Sequence, residues 1–164
     1  MLRSFITPLT DSILNEAISQ ELYASQLHRH IANQCQRLGL FGAQKYFKSE
    51  SASELEHYQK IVDYINDRGT VAETPEIPAI DLKITTLNDA IQEAYNAELE
   101  LGDKYNEWYK EVVMDDPTTA QFLLQFIEIQ RKSIGEIGDL LSRLQLVGDD
   151  KCGILIIDKE LGGI

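Results

Sequence analysis

Four long stretches of the sequence repeat apolar residues at the three- and four-residue spacing of an amphipathic α-helix, and the connections between them differ greatly in length. Start and stop signals predict helices over about residues 8–38, 42–68, 87–114 and 117–147. About three residues join the first helix to the second and the third to the fourth, so each pair forms an antiparallel hairpin. A short apolar stretch predicts a fifth helix over about residues 154–161.

The helix boundaries carry recognisable capping residues. Thr7 precedes Pro8 as a predicted N-cap, and Gly39 follows the first helix at the position that favours glycine. Thr86 and Asp89 resemble the two halves of a capping box at the start of the third helix. These residues predict where the helices begin and end independently of their apolar pattern.

The segment over residues 69–85 determines the topology, because a compact bundle rarely needs a connection of this length. About seventeen extended residues reach roughly 56 Å at ~3.3 Å each, whereas the second helix is roughly 40 Å long. The segment can therefore run the length of the bundle and make the second and third helices parallel. The sequence predicts an all-α fold in a single domain over residues 1–164: a four-helix bundle with one long crossover, plus a short fifth C-terminal helix.

A polar residue interrupts the apolar stripe of each long helix near its middle. These residues are Glu21 in the first helix, Glu54 with His57 in the second, Glu98 in the third and Gln130 in the fourth. They lie within about three residues of the predicted midpoints, which corresponds to a layer roughly 5 Å thick at ~1.5 Å rise per residue. Midpoints coincide whichever way a helix runs, so three carboxylates, one imidazole and one amide converge at the centre of the bundle.

Such a layer predicts a metal centre. Burying three carboxylates together is unfavourable unless a compensating charge lies among them. Oxygen ligands with an imidazole suit iron, manganese or zinc at a two-cation site in which a carboxylate bridges. Glu54 and His57, three residues apart, lie on one helix face, but such a pair alone is weak evidence because most lie on solvated surfaces. The agreement in depth between four helices carries the prediction.

Composition narrows the function further. The formal net charge of −12 argues against nucleic acid as a partner and fits a protein that handles cations, although it also serves solubility. No apolar run is long enough to span a membrane, and the N-terminus lacks the pattern of a signal peptide. The two cysteines, Cys35 and Cys152, form no CxxC motif, so a reducing cytoplasm is the predicted location.

The sequence resembles the non-haem ferritins, especially bacterial members of the heavy-chain type. The resemblance covers almost the whole chain, through "LNEAISQELYAS", "ELEHY", "LNDAIQEAYNAELE", "FLLQFIEIQ" and "IIDKEL". It implies a ferritin-like bundle and a homo-oligomeric cage of twenty-four subunits. It also implies a ferroxidase centre of two iron ions per subunit, which oxidises Fe(II) with dioxygen or peroxide for iron storage and detoxification as a ferric mineral.

The resemblance also implies a role for each residue of the layer. Glu21 and His57 correspond to ligands of the first iron, and Glu54 to the carboxylate shared by both ions. Glu98 corresponds to a ligand of the second iron, with Gln130 beside it. Hard carboxylates would stabilise Fe(III) as it forms, while the imidazole leaves coordination positions open for the oxidant.

The sequence departs from the family at two places near this centre. His28 stands where ferritins usually have a tyrosine linked to electron transfer, and three roles remain open for it: a core residue bonded to a carboxylate, a hydrogen-bond donor to a ligand, or a metal ligand. Because histidine is a poor radical former, turnover is expected to be altered. The positions that build a neighbouring third iron site are Ser53, Ile129 and Ser133, so that site is predicted to be missing or weak. Glu50 is the nearby substitute and a further candidate ligand.

Other departures separate the chain from related families. The fourth helix has Gln130–Ser133 where bacterioferritins and diiron oxygenases have a second Glu-x-x-His, which argues against both of these classes. Leu55 lies near the position of the methionine that binds haem in bacterioferritins, so no haem is expected. "MDDPTT" places Asp115 and Asp116 where ferritins line their threefold channels, although Asp116 followed by Pro117 is also a helix cap.

A second hypothesis for the function is a cage-forming structural or carrier subunit with weak or no ferroxidase activity. A DNA-protecting miniature ferritin is disfavoured by the long fourth helix and the tail.

Overall fold

A computed structural model describes residues 3–163, and five helices make up its regular structure: α1 Pro8–Arg37, α2 Phe41–Asp67, α3 Leu87–Val112, α4 Pro117–Val147 and α5 Lys151–Leu161. The described residues contain no strand, and the predicted all-α fold is confirmed. The first four helices end within two residues of the predicted bounds. None of the described helices combines the length and the apolar character that crossing a bilayer requires.

Side-chain caps explain why the helices begin where they do. Thr7 accepts a hydrogen bond from the backbone N–H of Thr10, and Thr86 forms both bonds of a capping box with Asp89. Asp150 accepts from the backbone at the start of α5, which is why that helix begins three residues before the predicted start at residue 154. The short apolar stretch alone did not reveal this cap.

The crossover, residues 68–86, lies along α1. Near the start of α1, the backbone N–H of Glu73 donates to Asn15 Oδ1 at 3.0 Å. Near its end, the backbone N–H of Ile84 donates to Gln34 Oε1 at 2.6 Å. The crossover therefore returns the chain from the beginning of α1 to its end, and α3 starts there. Because α2 is antiparallel to α1 after a tight turn, α2 and α3 run parallel, as predicted.

The bundle core is divided into two apolar clusters, one toward each end. One contains Ile31 and Phe47 with the first half of α3, and the other contains Ile18 and Ile61 with its second half. Burial of these side chains supplies most of the driving force for the fold. Between the clusters lies the polar layer, described below.

Helix α5 packs Ile157 into the bundle core and is joined to α2 by one buried carboxylate. Asp158 accepts hydrogen bonds from the backbone N–H groups of Gly42 at 3.1 Å and Ala43 at 2.7 Å. These groups belong to the first turn of α2, where Leu40 occupies the N-cap position and its side chain has no acceptor. Asp158 thus supplies from α5 the cap that α2 lacks in its own sequence.

Candidate metal centre

Six polar side chains meet in the layer between the two apolar clusters, and their exposed fractions are 8 % or less. All four long helices contribute. Glu21 and His28 lie one heptad apart on α1, so both face the interior, and Glu54 and His57 lie one turn apart on α2. Helix α3 contributes Glu98 and α4 contributes Gln130. The structure therefore brings together the five residues that the stripe pattern selected, and adds His28.

The first of two ligand groups consists of Glu21, Glu54 and His57. One ligand atom from each residue lies within 4.8 Å of the other two. His57 Nδ1 is 2.9 Å from Glu54 Oε2 and 3.5 Å from Glu21 Oε2. This group has the geometry to hold a cation between two carboxylates and an imidazole.

The second ligand group consists of His28, Glu54 and Glu98, whose ligand atoms also lie within 4.8 Å of one another. His28 Nε2 is 3.4 Å from Glu98 Oε1 and 4.0 Å from Glu54 Oε1. Glu54 belongs to both groups, and its two oxygens are turned to different histidines. One carboxylate thus belongs to both groups of side chains that could hold a cation.

Several buried atoms of this layer have no hydrogen-bond partner among the described residues: Glu21 Oε2, Glu98 Oε2, Gln130 Oε1 and both ring nitrogens of His28. Each buried unsatisfied polar group is unfavourable by about 1–3 kcal/mol. Such a concentration is exceptional in a native core, where nearly all buried polar groups are paired. Divalent cations that accept oxygen and nitrogen ligands would satisfy the carboxylate and amide oxygens and one ring nitrogen of His28, so the donor set fits a metal centre.

The electrostatics of the layer agree with a site for positive charge. Burial alone would lower the pKa of His57, but its contacts with Glu21 and Glu54 outweigh burial and raise the pKa to about 10. Burial raises the pKa of Glu54 to about 7, and Glu21 adds to the rise while His57 opposes it. The carboxylates therefore favour a positive charge at this position, which a metal ion also provides.

The comparison with known proteins identifies the family. The ferritin family model, described as a ferritin-like domain, matches residues 12–147. The chain belongs to the ferritin family. The sequence resemblance to non-haem ferritins is confirmed, since several relatives that match most of the chain are named bacterial non-heme ferritin.

Individual relatives align over nearly the full chain. A ferritin from Pacifastacus leniusculus is 34 % identical over 153 residues, which cover 90 % of this chain and 84 % of the relative. A probable bacterial non-heme ferritin-like protein from Haemophilus influenzae is 28 % identical and covers 93 % of both chains. The structure of an open pore ferritin from Archaeoglobus fulgidus superposes with a TM-score of 0.93 at 24 % identity, covering 96 % of this chain and 98 % of that one. At this identity the structural likeness supports the ferritin fold.

Tyr105 is a residue of this ferritin's layer that the sequence analysis missed. Its hydroxyl donates a hydrogen bond to Glu21 Oε1, and its ring stacks on Phe126 with centroids 5.2 Å apart. Burial and the neighbouring Glu21 raise the pKa of Tyr105 well above its ordinary value, so the hydroxyl remains a proton donor. The sequence did contain a signal for Tyr105, because it follows Glu98 by one heptad and therefore lies on the same inner face of α3. A buried tyrosine hydroxyl at that position needs a polar partner, and the carboxylates of the layer can provide one.

Glu50 lies outside both ligand groups of this ferritin. It is half-buried one turn before Glu54. Burial raises the pKa of Glu50, His28 opposes the rise, and Glu54 and Glu98 add to it. The charges of the layer therefore affect the protonation of Glu50. Its role as a metal ligand remains a prediction.

The acidic turn between α3 and α4 is held by hydrogen bonds to other segments. Asp115 accepts from the hydroxyls of Thr7 and Thr10 at the start of α1, the second at 3.3 Å. Asp116 accepts from Thr119 as the N-cap of α4 and pairs with Arg68 at 3.0 Å. The capping interpretation of Asp116 is thereby confirmed.

Proposed function

We propose that this protein is an iron-storage and iron-detoxifying ferritin subunit that oxidises Fe(II) to Fe(III) at a dinuclear centre inside its own bundle. The observation that carries the proposal is the membership of Glu54 in both ligand groups. A carboxylate placed between two cation positions can bridge two iron ions, as in other carboxylate-rich helical bundles. Iron is here the substrate, and two ions per subunit react together.

The five residues predicted from the sequence take distinct roles in this proposal. Glu21 and His57 bind the first Fe(II), Glu54 bridges, and Glu98 binds the second with the amide oxygen of Gln130 beside it. The unpartnered Glu21 Oε2, Glu98 Oε2 and Gln130 Oε1 support these assignments, because each is a free donor atom within the layer. Hard carboxylate oxygens favour Fe(III) over Fe(II), which lowers the reduction potential of the bound iron and makes its oxidation more favourable.

The reaction balances with two iron ions. Each Fe(II) loses one electron, and dioxygen accepts both electrons with two protons to give hydrogen peroxide. When hydrogen peroxide is the oxidant, it accepts two electrons and two protons, its O–O bond breaks, and two water molecules form. Two adjacent one-electron donors thus match a two-electron oxidant. Tyr105 and the apolar clusters on either side restrict access of bulk water to the centre.

The proposal includes assembly of twenty-four copies into a cage, in the cytoplasm and without haem. Large apolar side chains remain exposed on the single subunit, including Leu146, Leu155 and Ile156 near its C-terminal end, and exposed apolar surface supports contact with further copies. Cys35 and Cys152 are both free, which supports a reducing compartment. Leu55, near the position of the haem-binding methionine of bacterioferritins, has no atom that ligates iron.

Stopped-flow measurement of Fe(II) oxidation in air tests the proposal directly, with iron titrated from zero to several ions per subunit. The expected result is a fast phase that saturates at about two ions per subunit. A slow rise without saturation would instead support the carrier-subunit hypothesis and contradict a working ferroxidase centre.

The shared role of Glu54 has its own test. Glu54→Ala is expected to abolish the fast phase, because both cation positions lose a ligand, while the cage still forms on size-exclusion chromatography. Glu56→Gln is the matched control, since Glu56 lies two residues away on the exposed side of α2 and removes the same charge. Oxidation by Glu54→Ala at the parental rate would exclude the bridging role.

A further inference from the structure

We infer that His28 is a ligand of the second metal ion, so that each ion of the dinuclear centre is held by one imidazole. The inference rests on the proposed function, because it assigns a ligand within the proposed two-ion centre. It concerns the position where this chain departs from the tyrosine expected in its family. The three roles left open by the sequence are distinguished by the geometry around the ring.

The two histidines are next to different oxygens of the Glu54 carboxylate. Oε2 of Glu54 is 2.9 Å from His57 Nδ1, whereas Oε1 is 4.0 Å from His28 Nε2. Each histidine is also next to a second carboxylate, Glu21 beside His57 and Glu98 beside His28. The layer therefore contains the same set twice: an imidazole, its own carboxylate and one oxygen of Glu54.

A role in packing alone does not account for His28. The side chain is fully buried, and neither ring nitrogen has a hydrogen-bond partner among the described residues. A neutral imidazole has one N–H donor and one acceptor nitrogen, and a buried histidine normally has at least its N–H bonded. An apolar or aromatic side chain would fill the same space without this loss.

A hydrogen bond to Glu98 is also an incomplete explanation. The distance of 3.4 Å from His28 Nε2 to Glu98 Oε1 exceeds the usual 2.7–3.2 Å for N–H···O bonds. It also leaves Glu98 Oε2 without a partner. A divalent cation beside His28 Nε2 and the Glu98 carboxylate would bind both residues, and it would give Nε2 and the free oxygen of Glu98 a partner.

The ring is held in place for this role. It stacks on Phe47 of α2 with centroids 5.8 Å apart and an interplanar angle of 19°. His28 follows Glu21 by one heptad, so the backbone of α1 directs both side chains to the same layer. A ligand that is oriented before the metal arrives loses less conformational entropy on binding.

The chemical consequence is a second position that prefers transition-metal ions. An imidazole with two carboxylates suits Fe(II), Zn(II) and Co(II), whereas oxygen ligands alone also suit Mg²⁺ and Ca²⁺. The second ion would therefore be bound more tightly and more selectively than at a site built from carboxylates and an amide. Each ion would have one imidazole and two carboxylates, and the second would also have Gln130 beside it.

X-ray absorption spectroscopy of the assembled parent protein, loaded with two Zn(II) ions per subunit, counts the imidazoles directly. The chain contains three histidines, and His30 contacts the Leu82 carbonyl outside both ligand groups, so a count above that of His57 is assigned to His28. The expected average is one imidazole per zinc ion. An average of one half, which corresponds to His57 alone, would overturn the inference. Binding of fewer than two zinc ions per subunit would overturn the dinuclear centre itself, and the two failures are thus distinguishable.

Variants provide a second measurement by calorimetric titration with Zn(II). His28→Gln and His28→Tyr are expected to weaken the second binding step at least tenfold, because losing a ligand should exceed the 10–100-fold effect of losing an outer-shell partner. The first step should change little. His30→Gln is the control, since His30 on the same helix contacts the Leu82 carbonyl at 2.8 Å, away from the layer. Two binding steps unchanged in both His28 variants would overturn the inference.

Discussion

The hydroxyl group of Tyr105 in α3 donates a hydrogen bond to Oε1 of Glu21 in α1. The other oxygen of that carboxylate, Oε2, has no partner among the described residues and lies 3.5 Å from His57 Nδ1. One oxygen is thus held by the protein and the other is available for a metal ion. Tyr105 orients Glu21 for binding through a single oxygen, which makes it a positioning residue of the proposed centre.

Tyr105→Phe is expected to weaken binding of the first metal ion about tenfold, because an outer-shell hydrogen bond to a ligand is lost. The ring and its packing on Phe126 remain, so the cage should still assemble. Without metal, the variant should be less stable by about 1–3 kcal/mol, since Glu21 Oε1 loses its partner in a buried site. Calorimetric titration with Zn(II) and thermal unfolding of the metal-free protein measure the two effects.

Tyr64→Phe is the matched control for this prediction. The Tyr64 hydroxyl also makes partly buried contacts, with Thr119 at 2.9 Å and Arg68 at 2.7 Å, but these lie at the end of α2. It should lower stability without changing the affinity for zinc. Equal zinc affinities in the parent protein and Tyr105→Phe would contradict the positioning role.

Asp158→Ala is expected to loosen the attachment of α5 to α2, while Ile157 still packs in the core. The substitution removes the acceptor for the backbone N–H groups of Gly42 and Ala43, and loss of a helix cap typically lowers stability by about 1–2 kcal/mol. Limited proteolysis should cut near α5 faster in the variant. Asp149→Ala removes an equal charge from the exposed turn before α5 and should leave the cleavage rate unchanged; equal rates in all three proteins would exclude the capping role.

Gly42→Ala tests the same junction from the other side. A Cβ atom at this position would lie 1.6 Å from the carbonyl oxygen of Asp158, a backbone atom that can move only with α5. We expect a lower thermal midpoint and faster proteolysis of α5. Gly135→Ala in α4 is the opposite case, since a Cβ there meets nothing within 4 Å and should raise stability by up to about 1 kcal/mol through helix propensity. A Gly42→Ala protein as stable as its parent would show that α5 adjusts freely.

Asp116 is expected to make stability depend on pH in the acidic range. Burial alone would raise the pKa of Asp116, but hydrogen bonds from Thr119 and the charge of Arg68 outweigh it and lower the pKa. A lowered folded-state pKa contributes stability that is fully present above the unfolded value of about 3.9, and is lost as pH falls through the folded value. Thermal midpoints measured at pH 7 and at successively lower pH should follow this sign.

Asp116→Asn isolates the charge, because asparagine caps helices about as well as aspartate. The variant should be less stable than the parent at pH 7 by about 1–2 kcal/mol, and the difference should shrink below about pH 4. Glu128→Gln removes a carboxylate from an exposed pair with Arg131 and should have little effect at any pH. A difference for Asp116→Asn that is constant between pH 7 and pH 3 would contradict the electrostatic contribution.

The polar layer shows which site residues helix periodicity can predict from the sequence and which it cannot. Glu21, Glu54, Glu98 and Gln130 could be selected because each interrupts an apolar stripe near the middle of its helix, and all four are buried together. Tyr105 could not be selected in the same way, since tyrosine is also an ordinary core residue and its stripe position reads as apolar. Its contact with Glu21 depends on the relative height of α1 and α3, which no pattern within one helix specifies.

His28 shows the same limit for a ligand assignment. Its place on the inner face of α1 follows from its heptad spacing to Glu21, but the sequence left packing, hydrogen bonding and metal binding open. The distances to Glu54 and Glu98, and the ring's stacking on Phe47, narrow the choice. These distances and the stacking depend on how α2 and α3 pack against α1, which the sequence of α1 alone does not specify.

The sequence by itself determined the four long helices, the caps of α1, α3 and α4, the long crossover and the depth of the polar layer, because these follow from periodicity, local hydrogen bonding and chain length. Only the tertiary structure decided which oxygen of Glu54 is turned to which histidine, that Tyr105 holds Glu21, and that Asp158 caps α2. These relationships join residues far apart in the chain. They arise from the packing of whole helices, whose relative positions are set by many side chains acting together and not by any local segment.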